Sequence, residues 1–164
     1  MHKFFGKYRG KVEANEDSLG LGRVQVSVAS VFGEGNLAWA MPCTPYAGPG
    51  VGLFLVPPVG ANVWIEFEGG DPDFPILGGC FWSEGEVPVD PAEPQMRVFK
   101  CEGVNLVVED DSGGSVSLTV SSPIADTEVN VTIDSGGVVV ETGSGKIEIS
   151  SSQVAINGDG LVVK

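Results

Sequence analysis

The chain has 164 residues and a mass of 17.0 kDa, and its 24 glycines and 11 prolines leave little room for long helices. Its net charge is −13, because 22 acidic residues outnumber 9 lysines and arginines. Nucleic-acid binding needs cations that neutralise phosphates, so this balance argues against it, and equally against an anionic membrane surface as the resting partner. No apolar run reaches about 18 residues, so no membrane-spanning helix is expected, and no secretory signal is expected either.

Residues 1–85 are predicted to form an OB-type barrel that serves as a collar domain. Apolar and polar side chains alternate over residues 24–28 and 63–68, which is the period of half-buried strands. Glycine- and proline-rich turns separate these segments, and a glycine pair within residues 76–82 predicts a bulge or bend in the last strand. Several short strands with many aromatic residues and tight turns are typical of a small β-barrel.

Residues 86–103 are predicted to be a proline-rich linker and entry segment. Pro88, Pro91 and Pro94 recur at a three-residue spacing, and proline has no N–H group to donate within a central strand. A stiff, extended connector follows from this composition.

Residues 104–164 are predicted to form a unit of short strands. These strands have small apolar side chains and almost no aromatic bulk, so a single copy buries too little surface to offset the entropy of ordering it. We therefore expect an obligate homo-oligomer in which strands pair with strands of neighbouring copies and a Val/Ile/Leu face lines a common axis. The residues predicted to line the axis are Val116, Leu118, Val120, Val129, Val131, Ile133, Val138, Val140, Ile147, Ile149, Val154, Ile156, Leu161 and Val163.

The sequence contains few candidate catalytic or metal-binding residues. Glu66 and Glu68 share one face of a strand, as paired catalytic carboxylates would, but exposed strand faces carry such pairs routinely. Asp71 and Asp73 offer oxygens to calcium, yet aspartates beside a proline are also ordinary turn formers. The single histidine is His2, and no nucleophile or nucleotide motif occurs. We predict no enzyme activity, no catalytic residue, no cofactor and no metal.

Two further observations concern the cysteines and the barrel's charge. Cys43, Cys80 and Cys101 form no metal or disulfide pattern and are expected to be reduced, mostly buried thiols.

The barrel segment lacks the cations that nucleic-acid binding requires. Between Val24 and Met96 there is no lysine or arginine, which argues against nucleic-acid binding by the barrel despite its aromatic residues.

Five ordered motifs resemble a known family. LGLGRVQV at 19–26, WAMP at 39–42, GPGVG at 48–52, PPVGANVWIEFEGGD at 57–71 and PILGGC at 75–80 resemble the OB-fold domain of baseplate central-spike proteins. Such proteins occur in contractile phage tails, type VI secretion spikes and extracellular contractile injection systems. The resemblance implies an all-β chain with an N-terminal OB-type barrel as a collar and a C-terminal intertwined trimeric β-helix or β-prism, which makes residues 104–164 a trimeric spike.

The resemblance also implies a role and partners. The expected role is a central spike that docks on a tube-end hub, here a separate protein, and pierces a target envelope, touching the membrane only during puncture. A proline-alanine-alanine-arginine (PAAR)-type tip protein or an effector cargo is expected at Val162, Val163 and Lys164. Assembly is expected in the cytoplasm, into a phage tail baseplate or tail-like particle that is released in some systems. The linker takes the place of the lysozyme domain of some relatives, so no muramidase activity carries over. An adhesin-like OB-fold and β-solenoid module that recognises oligosaccharides is the alternative.

Overall fold

The computed structural model describes residues 2–158 and 160–163, which divide after Glu86 into two compact units. In the described residues nearly all of the regular structure is β-strand, as predicted, and only one short helix and one 3-10 turn interrupt it. Within the described residues, no helix has the length and apolarity needed to span a membrane.

The first unit is a closed five-stranded barrel with the order β1-β2-β3-β7-β6. Its strands are antiparallel neighbours except for β3 and β7, which run parallel. This closed arrangement confirms the predicted barrel. The barrel strands are β1 (Tyr8–Ala14), β2 (Val24–Ser27), β3 (Leu37–Pro42), β6 (Asn62–Phe67) and β7 (Pro75–Phe81).

Three short elements connect the barrel strands. Helix α1 (Ala29–Phe32) lies between β2 and β3, and a 3-10 turn (Glu68–Gly70) follows β6. A two-stranded hairpin, β4 (Ala47–Gly48) and β5 (Val51–Gly52), lies in the long connection from β3 to β6.

The barrel core follows from the period-2 alternation of its strands, because every second side chain points inward. The predicted bulge is present opposite Trp64 and Ile65, whose partners are Gly79 and Leu77, so that Gly78 is the extra residue. The buried core consists of Val12, Val24, Val26, Val28, Ala40, Val63, Ile65, Phe67 and Leu77.

The second unit is one eight-stranded sheet in which each strand pairs antiparallel with its neighbour in sequence. Turns of two residues, such as Glu102-Gly103, Ser135-Gly136 and Gly143-Ser144, join several of the strands. The strands are β8 (Met96–Cys101), β9 (Val104–Glu109), β10 (Val116–Val120), β11 (Val129–Asp134), β12 (Gly137–Thr142), β13 (Gly145–Ile149), β14 (Val154–Ile156) and β15 (Leu161–Val163).

Three sequence-based expectations require correction or adjustment. The expectation that each strand pairs with strands of other copies is wrong for β9–β14, because strands of the same chain occupy both of their edges. Short turns impose this pairing, since they return the chain directly beside the strand it has just left. The segment predicted as a linker contains β8, so the sheet begins before residue 104. The cysteines are exposed: Cys43 precedes the hairpin, Cys80 lies on a barrel strand, and Cys101 lies on a sheet face that has no covering layer.

Candidate functional site: an uncovered apolar sheet face

The strand register of the C-terminal sheet aligns apolar side chains in continuous rows across the strands. In the central row, each of the eight strands contributes one residue, directly opposite its neighbours. Such cross-strand neighbours lie close together on one face of a sheet. The row consists of Phe99, Leu106, Leu118, Val131, Val140, Ile147, Ile156 and Leu161.

Two further rows flank the central one on the same face, and in β8 they begin with Arg97 and Cys101, respectively. After Arg97 the second row consists of Val108, Val116, Ile133, Val138, Ile149, Val154 and Val163, and after Cys101 the third continues with Val104, Val120 and Val129. We call these three rows together the apolar face. All fourteen residues predicted to line an axis belong to it, and their facing a common axis remains a prediction.

Sequence reasoning missed four members of the apolar face: Phe99, Val104, Leu106 and Val108. Phe99 was missed because β8 lies in the segment assigned to the linker. In β9, Val107 interrupts the alternation of apolar and polar residues, so the inward set could not be identified from its period alone.

Among the described residues of its unit, which form one eight-stranded sheet, none builds a second layer over the apolar face. On this face Ile133, Ile147, Ile149, Ile156, Leu161, Val163 and Phe99 are all exposed, with relative accessibilities from 38% for Ile156 to 58% for Val163. Among the side chains described in this unit, Ala155 is the one buried apolar residue, and it lies on the opposite face. A sheet normally buries one face against another layer, so an apolar surface of this extent makes this face the candidate interaction surface of the unit.

The opposite face of the same sheet is the more polar one, although Val98, Val107 and Val139 also lie on it. Among the described residues, Asn105 Oδ1 on this face is buried without a hydrogen-bond partner, whereas other polar groups are paired. Lys146 Nζ lies 2.9 Å from Glu148 Oε1 and 3.1 Å from Glu141 Oε1, and these two carboxylates, Glu148 first, raise the pKa of Lys146. Thr119 Oγ1 donates a hydrogen bond of 2.8 Å to Asn130 Oδ1. The two faces therefore differ sharply, and the polar one is suited to water.

The residues predicted for tip docking are only partly described. Val163 lies at the end of the second row on the apolar face, opposite Val154. The backbone of Val162 pairs with Ala155, whereas Lys164 lies outside the described residues.

The barrel carboxylates that were weighed for chemistry take ordinary structural roles. Glu66 Oε1 accepts a hydrogen bond of 2.6 Å from Lys7 Nζ. Asp71 Oδ1 accepts one from the backbone N–H of Asp73 at 3.2 Å, and its other oxygen lies 3.8 Å from Lys3 Nζ. Asp71, which was considered as a calcium ligand, is thus held in a turn by Lys3 and by the backbone of Asp73.

Two arginines of the barrel stack on aromatic rings. The Arg9 guanidinium lies 4.9 Å from the ring centroid of Trp64 and 4.7 Å from that of Phe81. The Arg23 guanidinium lies 5.4 Å from that of Trp39. Cation–π contacts of this kind fix the orientation of arginine at protein surfaces. The barrel strands therefore bear a rigid, aromatic-rich exterior.

Comparison with known proteins identifies the barrel. A family described as the type VI secretion system/phage-baseplate injector OB domain matches residues 8–82, which span β1 to the end of β7. The barrel belongs to this family. The type VI secretion system spike protein VgrG4b of Pseudomonas aeruginosa PAO1 is 36% identical to the chain over an alignment of 84 residues, which covers 46% of this chain and 10% of that protein. The chain thus spans about a tenth of the length of the curated relative it matches.

Membership of this family confirms the resemblance found in the sequence. Residues 8–82 form an injector OB domain of this family, and a protein named as a type VI secretion spike is 36% identical over part of the chain. The apolar face lies outside the matched residues, so its role has to be argued from its own geometry.

Proposed function

We propose that the chain is a non-enzymatic central spike of a contractile tail or injection apparatus. In this proposal, three copies pack the apolar faces of their C-terminal sheets around a common axis. The injector OB domain docks on a hub at the tube end, and contraction drives the spike through a target envelope. Assembly in the cytoplasm, with a tip protein or cargo carried at the far end, completes the proposal.

The observation that carries the proposal is the exposure of the apolar face. At about 25 cal/mol per Å² of apolar surface removed from water, three rows of valine, isoleucine and leucine represent a large driving force for association. Three such sheets enclose a dry core and turn their polar faces to solvent. Because β9–β14 already pair within their own chain, the copies meet through side chains rather than through shared strand ladders.

The absence of an enzymatic role in this proposal rests on the carboxylates. Glu66 is paired with Lys7, and Asp71 with Lys3 and the backbone of Asp73. A spike needs stiffness rather than chemistry. Each apolar row resists bending, because bending separates many packed side chains at once.

The test is the mass of the full chain by light scattering at neutral pH. The proposal expects about three times 17.0 kDa. Ile147→Asp, in the central row, is expected to abolish assembly and reduce the mass to that of one chain, because a trimer would bury three unpaired carboxylates.

Ser117→Asp is the matched control, since Ser117 pairs with Thr132 and Val107 on the polar face. It places the same charge in the same sheet and is expected to leave the mass unchanged. A wild-type mass of one chain, or a trimer that persists with Asp at position 147, contradicts the proposed assembly.

A further inference from the structure

The connection from β3 to β6 carries an exposed surface that the barrel itself does not use. Residues 43–61, which we call the apolar arm, include the hairpin β4–β5 and lie within residues 35–65, a stretch with no Asp, Glu, Lys or Arg. In a chain of net charge −13 this is the longest uncharged segment. The exposed large apolar residues of the arm are Tyr46, Val51, Leu53, Phe54, Leu55 and Val59.

The apolar arm is held in place by its own barrel. Thr44 Oγ1 donates a hydrogen bond of 2.9 Å to the Leu53 carbonyl, and the Leu53 N–H donates one of 2.9 Å to the Tyr46 carbonyl. The edge of the Phe54 ring lies so close to Gly22 that a Cβ atom there would be 2.8 Å from it. Because the arm is already ordered, little conformational entropy is lost when a partner binds it, and the binding energy does not have to offset that loss.

A groove on the same barrel offers a complementary surface. We call it the barrel groove; it is a cavity of about 530 Å³. Met41 and Phe74 in it are 47% and 60% exposed. Arg23 is neutralised by Asp17 at 2.7 Å, so the charge that remains at the groove is negative. The apolar lining consists of Trp39, Met41, Pro42, Phe74, Pro75 and Ile76, and the carboxylates are those of Glu68 and Asp73.

The charge pattern favours a second copy of the chain as the occupant. Residues 1–86 carry five lysines and arginines and ten acidic residues, so each barrel has a net charge of 5 − 10 = −5, and most of its surface repels another copy. The uncharged arm is the segment that enters a groove bordered by carboxylates without repulsion. Phe54 is 72% exposed while Met41 and Phe74 are also exposed, so the arm does not fill the groove of its own barrel.

We propose that the apolar arm of one copy packs into the barrel groove of the neighbouring copy. The inference rests on the proposed trimer, because a head-to-tail contact closes into a ring around a threefold axis and satisfies all three arms and all three grooves. It makes the arm and the groove a second contact within the trimer that the apolar face assembles.

The test is photo-cross-linking of the purified full chain with benzoylphenylalanine in place of Phe54. The proposal expects covalent dimers and trimers on a denaturing gel, with cross-linked peptides that contain Met41 or Phe74. Phe5 is the matched control site, because it is also a phenylalanine of this barrel and is 73% exposed, but it lies between Lys3 and Lys7. Benzoylphenylalanine at position 5 is expected to give no cross-link between copies.

A groove variant and the mass of each sample make the result decisive. Met41→Asp, combined with the probe at position 54, is expected to lower the yield of covalent dimer about tenfold, because docking would bury an unpaired carboxylate. If samples of about three times 17.0 kDa show no cross-link, or only one within a single chain, the arm-in-groove contact is wrong while the trimer stands. A cross-link that forms only with another protein of an assembled particle overturns it in the same way. A mass of one chain overturns both proposals.

Discussion

Asp17 is the side chain that organises the connection between β1 and β2. Its carboxylate is only 3% exposed and accepts hydrogen bonds from the backbone N–H groups of Leu19 and Leu21 at 3.0 and 2.9 Å. The Arg23 guanidinium donates two more, from Nη2 at 2.7 Å and from Nε at 3.1 Å. The hydrogen bonds from the Arg23 side chain are the main reason why the pKa of Asp17 lies well below its ordinary value. One residue thus fixes both the loop and the arginine that stacks on Trp39.

Asp17→Asn is expected to lower the thermal midpoint of the barrel by several degrees at pH 7. The amide loses the ionic bond to Arg23 and has one acceptor oxygen in place of two. A depressed folded-state pKa contributes stability that is fully present above the unfolded pKa of about 3.9 and is lost as the pH falls below it. The difference between wild type and variant, followed by circular dichroism, should therefore shrink between pH 7 and pH 3.

Glu34→Gln is the control for this measurement, because Glu34 is an exposed carboxylate of the same unit that does not line the barrel groove. It is expected to change the midpoint little at either pH. A wild-type advantage over Asp17→Asn that stays constant between pH 7 and pH 3 would show that ionisation of Asp17 is not its source.

At the scale of elements, the short turns decide how the C-terminal sheet is built. Gly137 follows the Ser135-Gly136 turn, opens β12 and adopts a φ of +134°, which side chains rarely tolerate. A Cβ atom at this position would collide with the backbone carbonyl of Ile149 on the neighbouring strand. The glycine is therefore required both by its own backbone conformation and by the close approach of β13.

Gly137→Ala is expected to destabilise the sheet by about 1–3 kcal/mol, the usual cost of a strained backbone. Thermal unfolding of the full chain measures it. Gly136→Ala, one residue earlier in the same turn, is the control: its φ is not positive, and the nearest contact of a Cβ atom would be Asp134 Oδ1 at 3.1 Å. Equal effects of the two substitutions would contradict this role of Gly137.

Strands in which apolar and polar residues alternate regularly were predicted better from the sequence than strands without this alternation. Val24, Val26 and Val28 alternate with polar residues, and both the barrel and its core followed from such segments. The alternation of β10 to β15 likewise identified the apolar side of each strand, and the register places those residues on one face. Strand β8 was missed because prolines precede it and Val98 lies on the polar side. Which strands pair with which could not be derived from periodicity, since a period carries no information about the partner strand.

The cysteines and the apolar arm mark another limit of sequence reasoning. Cysteine is usually buried, so Cys101 was expected to be buried as well, yet it lies on a face that a single chain leaves open. The exposure of Phe54 could not be predicted either, because an apolar segment has the same composition in a core and at an interface between copies.

For the whole molecule, charge opposes the assembly that the apolar surfaces favour. Three copies would carry 3 × −13 = −39, and this repulsion acts over long distances at low ionic strength. Raising the salt from about 10 mM to about 150 mM shortens the screening length from about 30 Å to about 8 Å. We expect the thermal midpoint of the full chain to rise by several degrees over this range, as scanning calorimetry in sodium chloride would measure. A midpoint that falls with added salt would show that attractive ion pairs outweigh the repulsion.

The antiparallel course of the second unit has a consequence for biosynthesis. Each strand from β9 onward lies beside the one made just before it, so a nascent chain can add strands in the order in which they leave the ribosome. No polypeptide has to thread around two others while it is being synthesised. Copies translated separately can associate once each sheet has formed. In the proposed trimer, the rate of assembly would then be limited by the association of folded copies and not by the intertwining of chains.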